Sequence, residues 1–255
     1  MKIATWNVNS LKVRLPQVLQ WLDEHPVDVL CLQETKTVDE KFPRGEIEAA
    51  GYQVIFSGQK TYNGVAILSK HPMQDVVRNN PHFADEQQRL IAATIAGVRV
   101  ICAYVPNGQA LESDKYQYKL RWLDGLQQWL EIESAAHPQL ALLGDYNIAP
   151  DDRDVHDPAA WVGQVLVSEP ERAAYRRMLE LPLQDAFRLF PQGDKLFSWW
   201  DYRQMAFRRN TGMRIDHILL SPALAARCTA CVIDKAPRKW EQPSDHTPVV
   251  ATLEL

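Results

Sequence analysis

The sequence has few cysteines, no long apolar run and no excess of positive charge. The four cysteines among 255 residues fit a reducing compartment, and Cys31 and Cys102 lie inside apolar runs, as small buried side chains do. No run reaches the roughly 18 apolar residues that a membrane-spanning helix needs. The amino terminus lacks the apolar core of a signal peptide, because Trp6 and Asn7 interrupt its apolar run. We therefore expect a cytoplasmic protein without a membrane segment.

The other two cysteines, Cys228 and Cys231, form a single C-x-x-C pair. A structural zinc site needs a second pair or histidines at fixed spacing, and none follows in the sequence. Metal or redox chemistry based on thiols is therefore not expected.

The net charge is −4, which indicates no overall affinity for nucleic acid. One segment differs, because arginines and aromatic residues are interleaved in it. Positive charge suits phosphates and aromatic rings suit bases or sugars, but a solvated loop anchored by aromatics has the same composition. Both interpretations stay open for Trp199, Trp200, Tyr202, Arg203, Phe207, Arg208, Arg209 and Arg214.

Apolar periodicity predicts a single α/β domain, residues 1–255, with no repeat, low-complexity stretch or dividing linker. Spacings of three and four between apolar residues, together with capping signals, predict helices at about 15–22, 43–50, 116–135 and 168–181. Short apolar runs predict strands at 3–6, 27–32, 52–56, 65–68, 90–95, 98–105, 140–143, 196–200, 214–220 and 249–253. The order of these elements indicates a pair of mixed sheets covered by helices.

The segment Leu140–Pro150, LALLGDYNIAP, brings polar chemistry to the end of a buried strand. Four apolar residues precede Gly144, which we interpret as the end of the strand, and Asp145 and Asn147 follow. In open α/β sheets this edge is where sites are built. A capped turn would use the same residues, since Asp and Asn side chains hydrogen-bond the local backbone. The recurrence of the arrangement along the chain favours a site.

Polar side chains end several predicted strands that lie far apart in the sequence. Carboxylates gathered at one rim need protons, hydrogen bonds or a cation to offset their repulsion. A site rich in oxygen, with few imidazoles and no thiolates, suits Mg²⁺ or Mn²⁺ rather than zinc. Such a metal is suited to phosphate-ester hydrolysis. The candidate residues are Asn7, Glu34, Tyr104, Asn107, Asp145, Asn147, Asp216, Asp245 and His246.

Seven segments resemble, in order and spacing, the motif series of the endonuclease/exonuclease/phosphatase superfamily, and most closely its exonuclease III/AP endonuclease family. They are WNVNS at 6–10, LQETK at 32–36, NGVAILSK at 63–70, AYVPNG at 103–108, GDYNIAP at 144–150, RIDHILLS at 214–221 and PSDHTPV at 243–249. Seven ordered matches are far more specific than one. The resemblance implies a DNase I-like fold, a four-layer α/β sandwich of two packed mixed sheets flanked by helices.

The resemblance also implies roles for the site residues. Glu34 corresponds to the principal metal ligand, and Asn7 and Asp245 line the same site. Asp145 corresponds to the residue that positions or deprotonates the attacking water, and Asn147 to the group that orients this water. The implied metal set is Asn7, Glu34, Asp145, Asn147, Asp245 and His246.

The implied phosphate contacts are Tyr104, a phenol beside the phosphate, and His246, which Asp216 orients. Two local alternatives stay open. Asp216 could be a structural strand residue paired with Arg214, and His246 could be an ordinary loop histidine. His217 points to the opposite face of its strand from Asp216, and we interpret it as structural.

Relatives line a deoxyribose pocket with one aromatic and two apolar residues. The corresponding residues are Trp199, Met213 and Ile215, and Asn107 completes the predicted substrate contacts. An apolar pocket accepts a flipped, baseless sugar and excludes one that carries its base. Residues 161–172 correspond to a variable, DNA-facing region of the family.

The implied reaction is Mg²⁺-dependent hydrolysis of DNA phosphodiesters 5′ to abasic sites, with 3′→5′ exonuclease and 3′-phosphatase or phosphodiesterase activity. The implied partner is double-stranded DNA with abasic sites or blocked 3′ ends, and we expect a monomer. Three alternatives keep the fold: a phosphatase on a non-DNA phosphoester, a secreted nonspecific nuclease, and a non-catalytic RNA-binding regulator. The arginine-rich segment argues against the phosphatase. The absence of secretion and disulfide signals argues against the secreted nuclease, and the intact site residues argue against the non-catalytic regulator.

Overall fold

Two six-stranded sheets pack face to face in the computed structural model, which describes residues 1–255. The first sheet contains, in spatial order, β11 (Cys228–Ile233), β12 (Val249–Leu253), β1 (Lys2–Asn7), β2 (Val29–Gln33), β4 (Val65–Ser69) and β3 (Gln53–Ser57). The second sheet contains β5 (Met73–Arg78), β6 (Leu90–Ile95), β7 (Val98–Tyr104), β8 (Leu140–Asp145), β10 (Asp216–Leu220) and β9 (Gln184–Asp185).

Each sheet contains one parallel pair, β1–β2 or β7–β8, and its other neighbours are antiparallel. The parallel strands are connected by the two longest helices, α1 (Leu11–Glu24) and α3 (Asp114–Ala136), because parallel neighbours need a long crossover. The shorter helices are α2 (Arg44–Ala49), α4 (Pro158–Trp161), α5 (Glu169–Leu179), α6 (Ala206–Arg209) and α7 (Pro222–Ala225). None of the helices combines the length and the apolar character needed to cross a bilayer.

Alternation of side chains along each strand builds the apolar layers. Ile3 and Val29 belong to a cluster of 24 buried residues between the two sheets. Their neighbours Ala4 and Leu30 face the other way and pack with Trp21 of α1. The helices α3 and α5 cover the outer face of the second sheet in the same manner. The layer order is helix–sheet–sheet–helix, and the predicted four-layer α/β sandwich is confirmed.

Three sheet-edge strands were not predicted, and one predicted strand is absent. The missed strands β5, β9 and β11 pair on one side only, so they lack the continuous apolar run of a central strand. Residues 196–200 were predicted as a strand, which is wrong. In this segment Trp199 makes only isolated bridges, to Met213 and His246. All four cysteines are free thiols, and Cys31 and Cys102 are buried as expected.

Candidate active site

Three neighbouring strands of the second sheet place site residues side by side at one rim. Tyr104 ends β7, Asp145 ends β8 and Asp216 begins β10. Tyr104 pairs in register with Asp145, and Asp145 pairs with Asp216. Since β7 and β8 are parallel and β10 is antiparallel to β8, all three residues lie at the same end of the sheet.

Gly144 does not end β8, contrary to the prediction, because the strand continues through it to Asp145. A Cβ atom at Gly144 would lie only 1.8 Å from the carbonyl oxygen of Ala103 on β7. Glycine therefore permits the close approach of β7 and β8. Because the strand continues through Gly144, Asp145 is the last residue of β8 and lies at the rim of the sheet instead of in a loop.

The first sheet brings Asn7 and Glu34 to the same place. Asn7 ends β1, and Glu34 follows β2 with a left-handed backbone, φ 52°. The side-chain amide of Asn7 donates to Glu34 Oε1 at 2.9 Å and to Asp145 Oδ2 at 2.8 Å. One buried amide thus joins carboxylates from both sheets, and Asn7, Glu34 and Asp145 lie in a single cluster.

His246, on the loop before β12, completes the cluster. Its Nδ1 lies 2.9 Å from Asp216 Oδ2, and its Nε2 lies 3.6 Å from Asp145 Oδ2. Burial lowers the pKa of His246, but the charges of Asp216 and Asp145 outweigh burial and raise the pKa to about 10. The imidazole is therefore a cation at neutral pH, with an N–H available on each ring nitrogen.

The two carboxylates that the Asn7 amide joins have opposite pKa shifts. Burial raises the pKa of Asp145 to about 7, against the opposing charge of His246. Burial also acts on Glu34, but the hydrogen bond from Asn7 and the Lys36 ammonium outweigh it, so the pKa of Glu34 is lowered. Glu34 is therefore ionised at neutral pH, whereas Asp145 is suited to exchange a proton there.

The donor set fits a hard divalent cation. One ligand atom each from Glu34, Asp145 and His246 lie within 4.8 Å of one another. Carboxylate oxygens are the ligands that Mg²⁺ and Mn²⁺ prefer, whereas a protonated imidazole donates and does not ligate. The ionised Glu34 is therefore the group that fits the metal best, and ligation by Asn7 and Asp145 stays a prediction. Metal ligation by His246 stays a prediction.

Asp245, also predicted as a metal ligand, lies outside the group formed by Glu34, Asp145 and His246. Its carboxylate accepts from the Trp199 indole N–H at 3.0 Å and from the Asn9 side-chain amide at 3.1 Å. The Lys36 ammonium donates to Asn9 Oδ1 at 2.6 Å and lies 3.1 Å from Glu34 Oε2. Lys36 was not among the predicted site residues, and its only sequence signal is its place in the LQETK segment.

Asn147 is held in place by the loops that follow β7 and β8. Its backbone is left-handed, φ 48°, and its N–H donates to Asp145 Oδ1 at 2.9 Å. Its side-chain amide donates to the carbonyl of Val105 at 2.9 Å, and its side-chain oxygen accepts from Asn107 at 3.2 Å. Asn107 and Asn147 therefore form one amide pair beside Asp145. Ligation of a metal by Asn147 stays a prediction, because Asn107 engages its oxygen here.

Tyr104 carries a neutral phenol at the rim. Burial, together with the charges of Glu34 and Asp145, raises the pKa of Tyr104 well above its usual value. The Arg89 guanidinium lies 4.7 Å from the centre of the tyrosine ring and donates to the Tyr104 carbonyl at 3.3 Å. Arg89 was not predicted, because its proximity to Tyr104 follows from the pairing of β6 with β7.

The predicted sugar pocket is closed in this structure. Met213 is 0% exposed and Ile215 is 2% exposed, in a small apolar cluster with Val155 and Leu166. Trp199 packs against this cluster and is the only one of the three predicted residues that exposes part of its side chain. Sugar contacts to Met213 and Ile215 would require the cluster to open, and they stay a prediction.

The arginine-rich segment divides into exposed and buried residues. Arg203, Arg208 and Arg209 are exposed, and the guanidinium of Arg203 is paired with Asp201 at 2.6 Å. Arg214 is 1% exposed and does not belong to this surface, which corrects the sequence-based grouping. It donates instead to Asp154 at 2.7 Å and to Asp185 at 2.8 Å. The alternative pairing of Arg214 with Asp216 is therefore absent.

His217 is structural, as its position on β10 predicted. It is 1% exposed, its Nε2 lies 2.8 Å from the carbonyl of Ile148, and its Nδ1 lies 3.1 Å from the Arg214 guanidinium. Burial and the charge of Arg214 lower the pKa of His217 to about 4. The folded protein therefore keeps this imidazole neutral.

This burial predicts a stability that depends on pH. The folded-state pKa lies below the unfolded value of about 6.5, so the contribution is full above that value and is lost as pH falls towards 4. Between pH 7 and pH 5, wild type should lose about 2 kcal/mol more unfolding free energy than His217→Gln. Urea unfolding at both pH values measures this, with the exposed His82→Gln as control. An equal loss in wild type and His217→Gln would contradict the prediction.

Two packed mixed sheets with carboxylate, amide and imidazole groups at their common rim define a phosphoesterase of the DNase I-like fold. Residues 4–246 match the Endonuclease/Exonuclease/phosphatase family, and the chain belongs to that family. It is 37% identical to Exodeoxyribonuclease III of Haemophilus influenzae, over 98% of this chain and 99% of the relative.

Two solved structures are similar over 100% of both chains. One is the 3′ phosphatase NExo from Neisseria, bound to a product DNA hairpin, with 47% identity and a TM-score of 0.98. The other is an AP endonuclease from Archaeoglobus fulgidus, with 42% identity and a TM-score of 0.97. The recognition of this family from the sequence motifs is confirmed.

Proposed function

We propose that this chain is a Mg²⁺- or Mn²⁺-dependent DNA repair nuclease. It would incise duplex DNA 5′ to abasic sites and also act as a 3′→5′ exonuclease and 3′-phosphatase. The observation that carries the proposal is the convergence of a complete hydrolytic set at one rim. The set comprises Asn7, Glu34, Tyr104, Asp145, Asn147, Asp216 and His246.

Asp145 is the group suited to accept the proton of the attacking water. Its pKa of about 7 lets it be ionised and still basic enough at neutral pH. Asn147, bonded to Asp145 through its backbone N–H, is positioned to orient the same water. Water attacks phosphorus, its proton passes to Asp145, the bond to the 3′ oxygen breaks, and this oxygen takes up a proton from solvent. The products are a 3′-hydroxyl and a 5′-phosphate.

The negative charge that develops on the phosphoryl oxygens meets fixed donors. His246 is a cation held by Asp216, with its Nε2 directed into the cluster. Tyr104 keeps its phenolic proton, because its pKa lies well above neutrality. Such donors need no reorganisation during the reaction. A divalent cation held at Glu34 would add Lewis-acid stabilisation of the same charge.

Two clefts flank the rim and suit a DNA duplex. One, of about 720 Å³, is lined by Tyr104, Asn107, Arg89 and Lys115. The other, of about 460 Å³, has the following residues among its lining: Trp161, Trp199, Arg203 and Arg209. Arginine and lysine side chains suit phosphates, and exposed aromatics suit sugars and bases. Arg89 and Lys115 in the first cleft and Arg209 in the second supply positive charge locally although the net charge is −4, whereas Arg203 is paired with Asp201 of the same cleft.

A comparison of three DNA substrates at equal enzyme tests the proposal. They are a duplex with one synthetic abasic site, a duplex with a 3′-phosphate and an intact duplex end. With Mg²⁺ we expect a single nick 5′ to the abasic site, release of phosphate from the second substrate and slower shortening of the third. Hydrolysis of inositol phosphates without cleavage of DNA would instead identify a phosphatase of this fold. Binding of RNA without any hydrolysis would identify a non-catalytic regulator.

The remaining expectations are part of the same proposal. We propose that residues 1–255 form one domain that works as a monomer in the cytoplasm on damaged double-stranded DNA. The shared core supports one domain, because its 24 residues run from Ile3 to Leu253 and come from both sheets. Light scattering with and without a short abasic duplex would measure the oligomeric state.

A further inference from the structure

A buried lysine holds the two loops that carry Asn107 and Asn147. Lys119, on α3, is 0% exposed. Its ammonium donates to the carbonyl oxygen of Asn147 at 2.6 Å and to that of Asn107 at 3.1 Å. Its third partner is the carboxylate of Glu171. Since an ammonium has three N–H groups, every donor of Lys119 is used.

Glu171, on α5, connects this ammonium to a third loop. It is 0% exposed, and its carboxylate accepts from the backbone N–H of Leu166 at 3.1 Å and of Ser168 at 3.1 Å. The Leu166 carbonyl accepts in turn from the N–H of Ala149 at 2.9 Å. The ion pair therefore ties together three loops, 105–108, 145–149 and 166–168.

Gly108 lets the first of these loops close over the lysine stem. Its φ is +93°, and a Cβ atom there would lie 3.2 Å from Lys119 Cδ and 3.1 Å from Val165 Cγ2. Both the backbone conformation and the close contact favour glycine. The loop that carries Asn107 is thus fitted to a lysine side chain beneath it.

Stability alone does not account for a pair of this kind. Removing each charge from water costs several kcal/mol, and replacement of a buried ion pair by apolar residues is often neutral or stabilising. What distinguishes this pair is what it touches. Its partners are the backbone carbonyls of Asn107 and Asn147, the two amides that bond each other beside Asp145.

We propose that Lys119 and Glu171 are positioning residues for hydrolysis, acting through Asn107 and Asn147. The lysine fixes the positions of Asn107 and Asn147 relative to the sheet. The glutamate fixes the lysine and the loop 166–168 relative to these two residues. The inference rests on the proposed function, because its kinetic readout is DNA cleavage. A displacement of about 1 Å at a reacting group can cost up to roughly 10²-fold in rate.

Lys119→Met tests the proposal, because it keeps the length of the stem and removes the three donors. On the abasic duplex we expect kcat to fall roughly 10- to 100-fold, while KM changes by less than about 3-fold, since the DNA-facing clefts keep their side chains. Single-turnover and steady-state kinetics separate the two parameters. An unchanged kcat in a folded Lys119→Met protein would overturn the proposal.

A double-mutant cycle with Asn147→Ala shows whether Lys119 acts through Asn147. If it does, Lys119→Met should lower kcat by a smaller factor in the Asn147→Ala background than in wild type, because one of the two positioned groups is already gone. Full multiplicative loss in the double variant would overturn the assignment. If Lys119→Met fails to fold, Lys119→Gln, which retains amide donors, replaces it in the same cycle.

The chain offers a matched control in a second buried ion pair. Arg99 lies at the opposite end of β7 from Tyr104 and is 3% exposed, and its guanidinium donates to Glu133 at 2.6 Å. Arg99→Met likewise leaves a buried carboxylate without its partner. We expect it to lower stability but to leave kcat within about 2-fold of wild type. A loss of kcat in Arg99→Met equal to that in Lys119→Met would attribute both to instability and overturn the inference.

Amide hydrogen exchange tests the inference without catalysis. In Lys119→Met, exchange should accelerate at residues 105–108 and 145–149, and in Arg99→Met it should not. Unchanged exchange at these loops would overturn the positioning role. If wild type cleaved no DNA phosphodiester, the proposed function would fail, yet the exchange result would still decide whether Lys119 holds these loops.

Discussion

Replacement of Asp145 with asparagine is expected to lower kcat for incision of an abasic duplex by about 10³-fold or more. The asparagine amide has almost the same volume, but it accepts no proton at neutral pH, so the attacking water keeps its proton. Asp145 is 1% exposed and its pKa is about 7, whereas the pKa of the neighbouring Glu34 is lowered, which makes Glu34 a weaker base. Single-turnover kinetics at saturating enzyme measure this chemical step directly.

Asp185→Asn is the matched control for this substitution. Asp185 is also a buried carboxylate, but it bonds Arg214 and Tyr175 away from the rim. We expect Asp185→Asn to lose stability and to keep kcat within about 3-fold of wild type. An Asp145→Asn protein that kept more than a tenth of the wild-type kcat would contradict the role of Asp145 as proton acceptor.

Removal of divalent cations is expected to abolish cleavage of the same duplex, and added Mg²⁺ to restore it. The physical reason is the charge at the rim, where the ionised Glu34 lies beside Asp145 and a phosphate would bring a further negative charge. Dialysis against EDTA, followed by a titration with Mg²⁺, measures both the loss and the recovery. Cleavage at the wild-type rate in EDTA would contradict a metal-dependent reaction.

Glu34→Gln connects this requirement to a residue. It removes the negative charge from the group that best fits the metal, so half-maximal activity should need at least about 10-fold more Mg²⁺. Glu40→Gln, at an exposed position, should leave the Mg²⁺ titration unchanged. A Glu34→Gln titration that overlays wild type would place the metal elsewhere.

Much of the site could be predicted from the sequence because its residues end apolar runs. Asn7, Glu34 and Asp145 each follow a run that is buried on both faces, and such runs are recognisable without any tertiary information. The edge strands β5, β9 and β11 could not be recognised in this way. Each of these strands has a neighbour on one side only. Their residues therefore need not be apolar on both faces of the sheet.

The partner of a charged residue could not be predicted in the same way. Arg214 is two residues from Asp216 in the sequence, yet it pairs with Asp154 and Asp185. Lys119 shows the same limit, because a lysine in a long helix gives no local sign that Glu171 of another helix will bury it. Both pairings depend on which elements pack together, and local periodicity does not encode that.

By itself the sequence determined that polar residues follow the apolar runs of central strands, that two mixed sheets would be flanked by helices, and to which family the motifs belong. These properties depend on apolar spacing and on short local motifs. Only the tertiary structure decided the charges at the rim, including the pKa of Asp145 near 7 and that of His246 near 10. The reason is physical: such pKa values depend on the exclusion of water and on distances between residues from separate strands, and both arise only when the two sheets pack together.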